Sequence, residues 1–463
     1  MLRLHDTATG AVRPLELRDP GRVSMYVCGL TVYDHPHIGH GRMALVFDVL
    51  RRYLAFSGLD VHYVSNVTDI DDRIIERAAG EGRTEPEVAQ EFEASWWRAT
   101  DFLGVLRPDD TPHATAYVDD MVALVSDLVG RGVAYETSSG VYFEVEQVDS
   151  YGLLARQSLD SLRSGARVEV DAEKRSPLDF ALWKKAKPGE PTWDSPFGPG
   201  RPGWHTECVV MSLDLLGDGF DLHGGAVDLI FPHHENERAQ AVAQGRPFAR
   251  HWVHNGWVMA GGEKMSKSLG NFTTIDEMLD VADPRAYRLL VLRSQYRSQI
   301  EVTPETIADA AKGLDRLDRM AQRFSVTEPL GLGTAALATA DGRDVVSEEV
   351  DRFRARMDDD LDTPGALARI FDAVNRAHSL GDAGDEEAAA ALARTVAFLC
   401  GVLGLALDGA AVAELDEATE RLVTERDEAR VAGDYGRSDA IRDQLVALGW
   451  TVEDGPNGTT LRR

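Results

Sequence analysis

A chain of 463 residues is too long for one ordinary hydrophobic core, so we expect roughly two to four structural units. Its hydrophobic content of 43% favours a folded chain over a disordered one. The 49 lysines and arginines against 77 aspartates and glutamates give a net charge of -28, which argues against nucleic-acid binding unless the cations gather on one face. MLRLHDTATG lacks a signal-peptide core, and no long apolar run follows, so we expect a soluble, cytoplasmic protein.

Cys28, Cys208 and Cys400 form an odd and widely spaced set, which argues against a disulfide framework. Cys400 lies in the apolar helical run TVAFLCGVLGLAL, where we expect a small buried hydrophobic residue. The other two cysteines differ from Cys400 in their position. Cys28 ends a predicted strand, and Cys208 lies near the start of a predicted helix.

The first stretch predicts a βαβ unit. RVSMYVCG is a short apolar strand, a helical pattern runs from about Gly39 to Ser57, and DVHYVSNV is the second strand. Ligands of an open parallel sheet bind beyond the carboxyl ends of its strands. Cys28 and the segment from Asn66 to Asp72 fall at that edge.

The remainder of the chain predicts three further regions. From about Asp120 to Pro202 the pattern is irregular and loop-rich, with the basic cluster KRSPLDFALWKKAK, and it indicates an insertion without a core of its own. GFDLHGG and HWVHNGWVMAGG are predicted strands that end in glycine. After about Thr303 a helix bundle is predicted, followed by a hairpin in WTVEDGPNGTTLRR; its helices are ETIADAAKGLDRLDRMAQRF, GALARIFDAVNRAHSL, EEAAAALARTVAFLCGVLGLAL and ELDEATERLVTERDEARVAG.

His37 and His40 stand three residues apart at the mouth of the first helix. The helix N-terminus offers free N–H groups and a positive dipole, so the pair can meet an anion. Gly39 between them lets a base or a sugar approach closely. The alternative is that both are surface histidines in a turn. A four-residue motif alone does not distinguish this structural role from anion binding.

The segment Lys264-Met265-Ser266-Lys267-Ser268 follows two glycines and precedes another. Its two ammonium groups could neutralise charge that develops on a pyrophosphate leaving group, and the loop could close as a lid. A solvated basic turn is the alternative for this segment taken alone.

The two motifs in this order, each after a strand, resemble the class I aminoacyl-tRNA synthetases over essentially the whole chain. The resemblance implies an α/β fold, with a Rossmann-like parallel-sheet catalytic domain carrying an insertion, then an α-helical bundle and a small C-terminal module. The domains we predict are the catalytic domain at 1–302 with the insertion at about 120–202 and the lid region at about 260–302, the tRNA-binding bundle at 303–409, and the anticodon-recognition module at 410–463.

Four side chains suit a Zn²⁺ ion. Cys28 ends the first strand, Cys208 starts a helix in PGWHTECVVMSLDLLG, and His233 and Glu237 lie four apart on one helical face in FPHHENERAQ. Two thiolates, an imidazole and a carboxylate are zinc ligands. Spacing alone does not distinguish His233 from His234 as the ligand. The alternative to a metal site is that the two cysteines are core residues and that HHENE is a solvated start of a helix.

Five segments resemble the cysteinyl-tRNA synthetases: MYVCGLTVYDHPHIGHGR, NVTDIDDRI, RPGWHTEC, DLHGGAVDLIFPHHENE and EKMSKSLGN. The resemblance implies one zinc ion per chain, held by Cys28, Cys208, His233 and Glu237. A zinc-bound thiolate would select cysteine over serine without an editing site, since a hydroxyl is a far poorer zinc ligand.

The resemblance also implies the remaining site residues, with ATP as a substrate accompanied by Mg²⁺. The catalytic groups are His37, His40, Lys264 and Lys267. The ATP- or adenylate-binding residues are Gly29, His37, Gly39, His40, Asp228, Lys264, Ser266, Lys267 and Ser268. The cysteine-binding residues are Thr31, Asn66, Thr68 and Trp204. For Asp69, Asp71 and Asp72 we favour structural capping or ion pairing over a magnesium site.

The implied partners are tRNA(Cys), L-cysteine and ATP, with no membrane, and the resemblance indicates a monomer. Five arginines are candidates for contacts with tRNA bases on the ground of their charge alone: Arg430, Arg437, Arg442, Arg462 and Arg463.

Two other functions compete with this prediction. The cysteine:glucosaminyl-inositol ligases of mycothiol synthesis are similar through the catalytic domain, but they lack a counterpart of Glu237 and the C-terminal part from roughly Ala410 to Arg463. A non-catalytic tRNA-binding paralogue would be expected to have lost nucleotide motifs or metal ligands, and this sequence has both.

Overall fold

The structure is a computed structural model that describes residues 1–159, 161, 173–260, 263–264, 273–326, 345–408, 417–432, 434–448, 451–455 and 458–462. Within these ranges no helix combines the length and the apolar character needed to cross a membrane. The described strands are β1 (Arg3–Asp6), β2 (Ala11–Pro14), β3 (Arg22–Thr31), β4 (Asp60–Thr68), β5 (Ala134–Glu136), β6 (Gly140–Phe143), β7 (Phe180–Lys185), β8 (Gly200–Pro202), β9 (Leu222–Ala226), β10 (His251–Asn255), β11 (Val258–Ala260), β12 (Glu263–Lys264), β13 (Ile300–Glu301), β14 (Thr451–Gly455) and β15 (Gly458–Arg462).

The described α-helices are α1 (Ile38–Phe56), α2 (Asp72–Glu81), α3 (Glu85–Phe102), α4 (Val118–Gly130), α5 (Trp204–Leu215), α6 (Glu235–Ala243), α7 (Ile275–Leu279), α8 (Pro284–Leu292), α9 (Pro304–Arg323), α10 (Ser347–Met357), α11 (Thr363–Asp382), α12 (Glu386–Val402), α13 (Glu417–Val431) and α14 (Tyr435–Ala447).

The central sheet is parallel, with the strand order β10-β9-β3-β4. The predicted β3-α1-β4 unit is confirmed, and α1 buries nearly every side chain because it lies between the sheet and later helices. The β3, β4 and β9 strands end at the same edge, where the segments with the chemically active side chains begin. This is the Rossmann-like α/β arrangement that the motifs implied.

The insertion differs from its prediction. Its β5 to β8 strands form a four-stranded antiparallel sheet where the sequence predicted mainly loops. Two of these strands have 3 residues, so no alternating pattern could develop. The expectation that the insertion lacks its own core is confirmed, because Phe143 and Trp183 share one buried cluster with Tyr26, Cys28 and Val64 of the central sheet.

The predicted long helices are present, with one difference at a helix end, and one predicted strand is divided in two. The last helix of the apolar run ends at Val402 rather than at Leu407, since Gly404 adopts a φ of 70° that ends it. The predicted strand HWVHNGWVMAGG is divided into β10 and β11 at Gly256, where the Ser298 carbonyl would lie 2.4 Å from an added Cβ. Cys400 is fully buried, as predicted.

A buried ion cluster joins the catalytic unit to the helical bundle. One carboxylate oxygen of Asp48 on α1 lies 2.8 Å from Nε of Arg52 and 2.7 Å from a guanidinium nitrogen of Arg288 on α8. Arg288 also donates to the carbonyl oxygens of Leu103 and Leu403, at 2.9 and 3.2 Å. The end of α12 is thereby fixed against α1, the helix whose N-terminal cap is His37.

The C-terminal segment forms a small unit of α13, α14 and the β14-β15 hairpin. The hairpin pairs Gly455 with Gly458, which confirms the hairpin predicted there. Ile441, Leu445 and Val452 form a separate buried cluster within this unit.

Candidate active site

Cys28 is positioned by an irregularity in β3. The register between β3 and β4 shifts between Val27 and Leu30, so Cys28 and Gly29 bulge out of the ladder. The strand continues to Thr31, so Cys28 lies at this bulge inside β3 and not at the strand end predicted from the sequence. Only glycine fits next to it, because a Cβ on Gly29 would lie 1.6 Å from the carbonyl oxygen of Asn66.

The four predicted metal ligands come together in the interior. Sγ of Cys28 lies 3.6 Å from Sγ of Cys208 and 3.4 Å from Oε1 of Glu237, and Sγ of Cys208 lies 3.7 Å from Nε2 of His233. Zinc bonds of about 2.0–2.3 Å in a tetrahedron separate their donor atoms by about 3.3–3.8 Å. His233 and Glu237 are closer, at 2.8 Å. The donor set therefore fits a Zn²⁺ ion with little rearrangement.

A second set of donors, formed by Cys28, His223, His234 and Glu237, also converges. Nε2 of His223 lies 2.5 Å from Oε2 of Glu237, which is a hydrogen-bond distance. The two sets differ in that only the one with His233 contains both thiols. Because zinc favours thiolate ligands, the set with His233 suits this ion better than the set with His234.

Further histidines surround the four donors. Nδ1 of His205 lies 2.9 Å from Nδ1 of His233, so it meets the ring nitrogen that faces away from the thiols. His223 meets the second oxygen of Glu237. Nε2 of His234 lies 3.2 Å from Sγ of Cys28, and its Nδ1 lies 2.8 Å from His254. Partners of this kind fix the orientation of metal ligands.

The side chains of the cluster differ in how strongly each holds its proton. Burial raises the pKa of the Cys28 thiol, and the neighbouring Cys208 raises it further. Burial opposes ionisation of Cys208 too, but the hydrogen bond from Cys28 and the contact with His233 together outweigh it and lower the pKa of Cys208 to about 6. Burial would lower the pKa of His233, but Glu237 and Cys208 together outweigh it and raise this pKa to about 10. A metal ion that binds here displaces the remaining protons.

A chain of hydrogen bonds runs beside the cluster. The Gly29 N–H donates to Oδ1 of Asn66 at 2.8 Å, and Nδ2 of Asn66 donates to the Thr68 hydroxyl at 3.2 Å. The Thr68 hydroxyl donates to Oε2 of Glu207 at 2.6 Å. Thr31 pairs with Thr68 across β3 and β4. The cysteine-binding residues predicted on the two strands therefore lie together.

Trp204 lies at the first turn of α5, half-buried, with its ring stacked on His233 at 4.1 Å between centroids. The fourth predicted cysteine-binding residue therefore also borders the metal-ligand cluster. Asp228 lies exposed just after β9, in a short turn at Val227–Leu229.

His37 and His40 form the N-terminal cap of α1. The backbone N–H of each lies 3.3 Å from Nδ1 of the other, and their rings stack with centroids 3.6 Å apart. The segment after the lid is tied to them, since Ile38 N donates to the Thr273 carbonyl at 3.0 Å. Of the lid, Lys264 is described only as backbone paired with Met259. Ser266, Lys267 and Ser268 lie outside the described residues.

The acidic residues after β4 have the structural roles predicted for them. Asp69 accepts from the Thr115 N–H at 2.9 Å, and Asp71 caps α2. Asp72 pairs with Lys184 at 2.5 Å and also with Arg201, which ties the insertion to α2.

Among the candidate arginines of the C-terminal unit, Arg437 pairs with Glu425 at 3.1 Å and Arg442 donates to the Val452 carbonyl at 3.5 Å. Arg430 is exposed, while Arg463 and the side chain of Arg462 lie outside the described residues.

Comparison with known proteins identifies the family. Three family models match in sequence: tRNA synthetases class I (C) catalytic domain at 14–312, DALR domain at 352–408, and cysteinyl-tRNA ligase anticodon binding domain at 412–462. A protein from Alkalilimnicola ehrlichii named Cysteine--tRNA ligase is 46% identical, covering 100% of both chains. One of the same name from Thioalkalivibrio sulfidiphilus is 45% identical, again covering 100% of both. The chain belongs to the cysteine-tRNA ligase family.

Solved structures agree with this family in fold. Methionyl-tRNA synthetase of Mycobacterium tuberculosis in complex with methionyl-adenylate superimposes with a TM-score of 0.60 at 18% identity, covering 82% of this chain and 89% of that one. A putative arginyl-tRNA synthetase from Campylobacter jejuni gives a TM-score of 0.52 at 15% identity, covering 84% of this chain and 93% of that one.

Several residues of this candidate site in the cysteine-tRNA ligase family member were missed by sequence reasoning. His205 and Glu207 flank the predicted ligands in the segment WHTEC, yet neither was singled out. His223 lies in DLHGG, a segment that carried the resemblance without a role for its histidine. The number of histidines in the segments that carry the resemblance could have identified His205 and His223, but that signal does not mark Glu207.

Proposed function

We propose that the chain activates L-cysteine with ATP and transfers it to the 3′-terminal adenosine of tRNA(Cys). The observation that carries this proposal is the buried cluster of Cys28, Cys208, His233 and Glu237, together with the stacked pair of His37 and His40 at the start of the helix that follows the Cys28 strand. A metal ion in the cluster would suit a thiol, while the histidine pair suits phosphates. Relatives with the corresponding name match the chain over its full length.

Cys28, Cys208, His233 and Glu237 would hold one Zn²⁺ ion per chain. Bound there, zinc supplies a soft Lewis acid that favours a thiolate over the hydroxyl of serine. The chain's own part is to hold two thiolates and a carboxylate in a buried pocket, which is unfavourable without the cation. Trp204, stacked on His233, would form the adjacent wall.

The chemical steps need no protein nucleophile. A carboxylate oxygen of cysteine forms a bond to the α-phosphorus of ATP while the bond to the bridging oxygen breaks and pyrophosphate leaves. The ribose hydroxyl, at the 2′ position in the class I pattern, then attacks the carbonyl carbon and AMP leaves. His37 and His40, at the positive end of α1, would stabilise the phosphate charge together with Mg²⁺ and the lid lysines Lys264 and Lys267.

The remaining nucleotide contacts would be those that the family resemblance implies. They are Gly29 in β3, Gly39 at the start of α1, Asp228 just after β9, and Ser266 and Ser268 of the lid. The bundle at 303–409 would bind the body of the tRNA and the unit at 410–463 its anticodon, in a monomeric cytoplasmic enzyme.

Measurement of pyrophosphate exchange and of acceptor choice tests the proposal. The purified full chain should exchange pyrophosphate into ATP only when cysteine is present, and it should charge tRNA(Cys) with labelled cysteine. A glucosaminyl-inositol acceptor is the discriminating alternative, because the mycothiol ligases share the activation step. Transfer of cysteine to the sugar and not to tRNA would show a mycothiol ligase instead of a tRNA ligase. Absence of pyrophosphate exchange would exclude both of these functions.

A further inference from the structure

Residues 33–36, the connecting segment, lie between β3 and α1 and belong to no strand or helix. The segment ends directly before His37, the N-terminal cap of α1. The carbonyl oxygen of Pro36 accepts from the Ile275 N–H at 2.9 Å, which ties the far end of the segment to α7. Because no strand or helix guides its path, the contacts of its side chains decide where the chain enters α1.

Arg77 of α2 holds the first half of the connecting segment. Its Nη1 atom lies 3.0 Å from Oδ1 of Asp34 and donates to the Tyr33 carbonyl at 3.2 Å. Its Nε atom lies 2.8 Å from Oε1 of Glu81, and the guanidinium carbon lies over the Phe92 ring, 4.4 Å from its centre. A planar guanidinium with contacts on its edge and on its face is fixed in orientation. Tyr33 and Asp34 are therefore held at a defined place on α2.

The next residue of the segment is held by α3. Nδ1 of His35 lies 2.9 Å from the hydroxyl oxygen of Ser95, which is fully buried. The His35 ring also meets the Phe92 ring edge to face, with centroids 5.1 Å apart. Phe92 shares a buried cluster with Val67 of β4, so α3 is itself packed against the central sheet. Three successive residues of the segment are thus fixed by the hairpin of α2 and α3.

The position of the histidine pair follows from that of the connecting segment. Asp34 lies three residues before His37, and the mutual hydrogen bonds of His37 and His40 require the chain to enter α1 in one direction. Loss of the Arg77 contacts would free this entry, whereas β3 and the body of α1 are buried and would keep their places. Misplacement of a binding group by about 1 Å can cost about 100-fold in rate.

We propose that Arg77 is a positioning residue for nucleotide binding: it holds the connecting segment so that His37 and His40 face the phosphates of ATP. This inference rests on the proposed function, since it takes ATP as the ligand of the histidine pair. The guanidinium is engaged by Asp34, Glu81 and Phe92, so Arg77 acts through the segment and not on the nucleotide directly.

The test measures cysteine-dependent pyrophosphate exchange of the full chain with Arg77→Ala. The KM for ATP should rise by about 10- to 100-fold, the order of loss for a misplaced binding group. The KM for cysteine and the zinc content should stay at wild-type values, because the hydrogen bonds and ion pairs of Arg77 within the described residues reach none of the residues proposed for either ligand. Easier unfolding alone would reduce the number of active molecules and so lower kcat, with both KM values unchanged.

Arg83→Ala is the matched control. Arg83 lies between α2 and α3, pairs with Glu81 at 2.9 Å and with Glu91 at 2.7 Å, and has nearly the same side-chain exposure as Arg77, 29% against 31%. These pairs join the two helices to each other and not to the connecting segment. The control variant should therefore keep the wild-type KM for ATP.

Two further variants test the contacts separately. Arg77→Lys keeps a positive charge near Asp34 but lacks the planar fork, so its KM for ATP should lie between those of Arg77→Ala and the wild type. Ser95→Ala removes the contact with His35 and leaves those of Arg77 in place, so it should raise the KM for ATP by a smaller factor than Arg77→Ala does.

The outcomes distinguish this inference from the proposed function. An unchanged KM for ATP in Arg77→Ala, or equal increases in the KM for ATP and for cysteine, would overturn the inference. An Arg77→Ala chain that loses its fold or its zinc would assign Arg77 to the stability of the hairpin and would overturn it too. A wild-type chain that shows no cysteine-dependent exchange would instead overturn the proposed function.

Discussion

Nε2 of His223 lies 2.5 Å from Oε2 of Glu237, and both side chains are fully buried. The other oxygen of Glu237 faces the thiol cluster, 3.4 Å from Sγ of Cys28. His223 thus holds the carboxylate in the orientation that a metal ion would need.

Removal of this support should weaken metal binding without removing a ligand. We expect His223→Gln to lower zinc affinity by about 10- to 100-fold, since the partners of metal ligands contribute on this scale. Competition with a chromophoric chelator measures the affinity directly. His62→Gln, at a partly exposed histidine that pairs with Asp110, is the matched control and should bind zinc as the wild type does. Equal zinc affinities of the two variants would show that His223 does not support metal binding.

The candidate site was predictable from sequence only in part. Short motifs marked His37, His40, Cys28, Cys208 and Glu237 because their spacing along the chain carries the pattern. Contacts such as those of His223 with Glu237 and of Thr68 with Glu207 join residues 14 and 139 positions apart. These contacts depend on how β4, β9, α5 and α6 pack against one another, and a local sequence pattern does not predict that packing.

The buried ion cluster around Asp48 should be important for stability. Asp48→Asn would leave Arg52 and Arg288 buried without their counter-charge, and removal of one partner of a buried ion pair costs about 3–5 kcal/mol. Urea unfolding of the full chain measures the change. Asp127→Asn breaks a partly exposed pair with Arg131 and should cost less than about 1 kcal/mol. Similar losses in the two variants would contradict the role of burial.

The fold was predictable where the sequence is periodic or carries a turn signal. Amphipathic repeats predicted α9, α11 and α12, and the Gly-Pro-Asn-Gly turn predicted the last hairpin. The insertion sheet was missed because its strands are short and its pairs, such as Gly140 with Lys184, are distant in sequence. The division of β10 from β11 was missed because it depends on the approach of the Ser298 carbonyl to Gly256.

Gly29 should tolerate no side chain. A Cβ there would lie 1.6 Å from the Asn66 carbonyl oxygen, and both atoms belong to backbone that cannot rotate away. We expect Gly29→Ala to displace the bulge that carries Cys28, and so to reduce both zinc retention and cysteine-dependent pyrophosphate exchange by at least about tenfold. Gly80→Ala is the matched control, because no atom lies within 4 Å of its added Cβ. Full activity of Gly29→Ala would mean that β3 and β4 can separate at no cost.

His251 should make the chain sensitive to acid. Burial, which is the largest cause, lowers the pKa of this histidine from 6.5 to about 4. The unfolded chain therefore binds one more proton than the folded chain between these pH values, so stability falls as the pH falls through that window.

His251→Gln removes this titration. The slope of unfolding free energy against pH should then be shallower than in the wild type by about 1.4 kcal/mol per pH unit inside the window, and the two curves should be parallel above it. Urea unfolding in buffers on both sides of pH 6.5 provides the comparison. Curves that stay parallel down to pH 4 would show that His251 is protonated in the folded chain as readily as in the unfolded one.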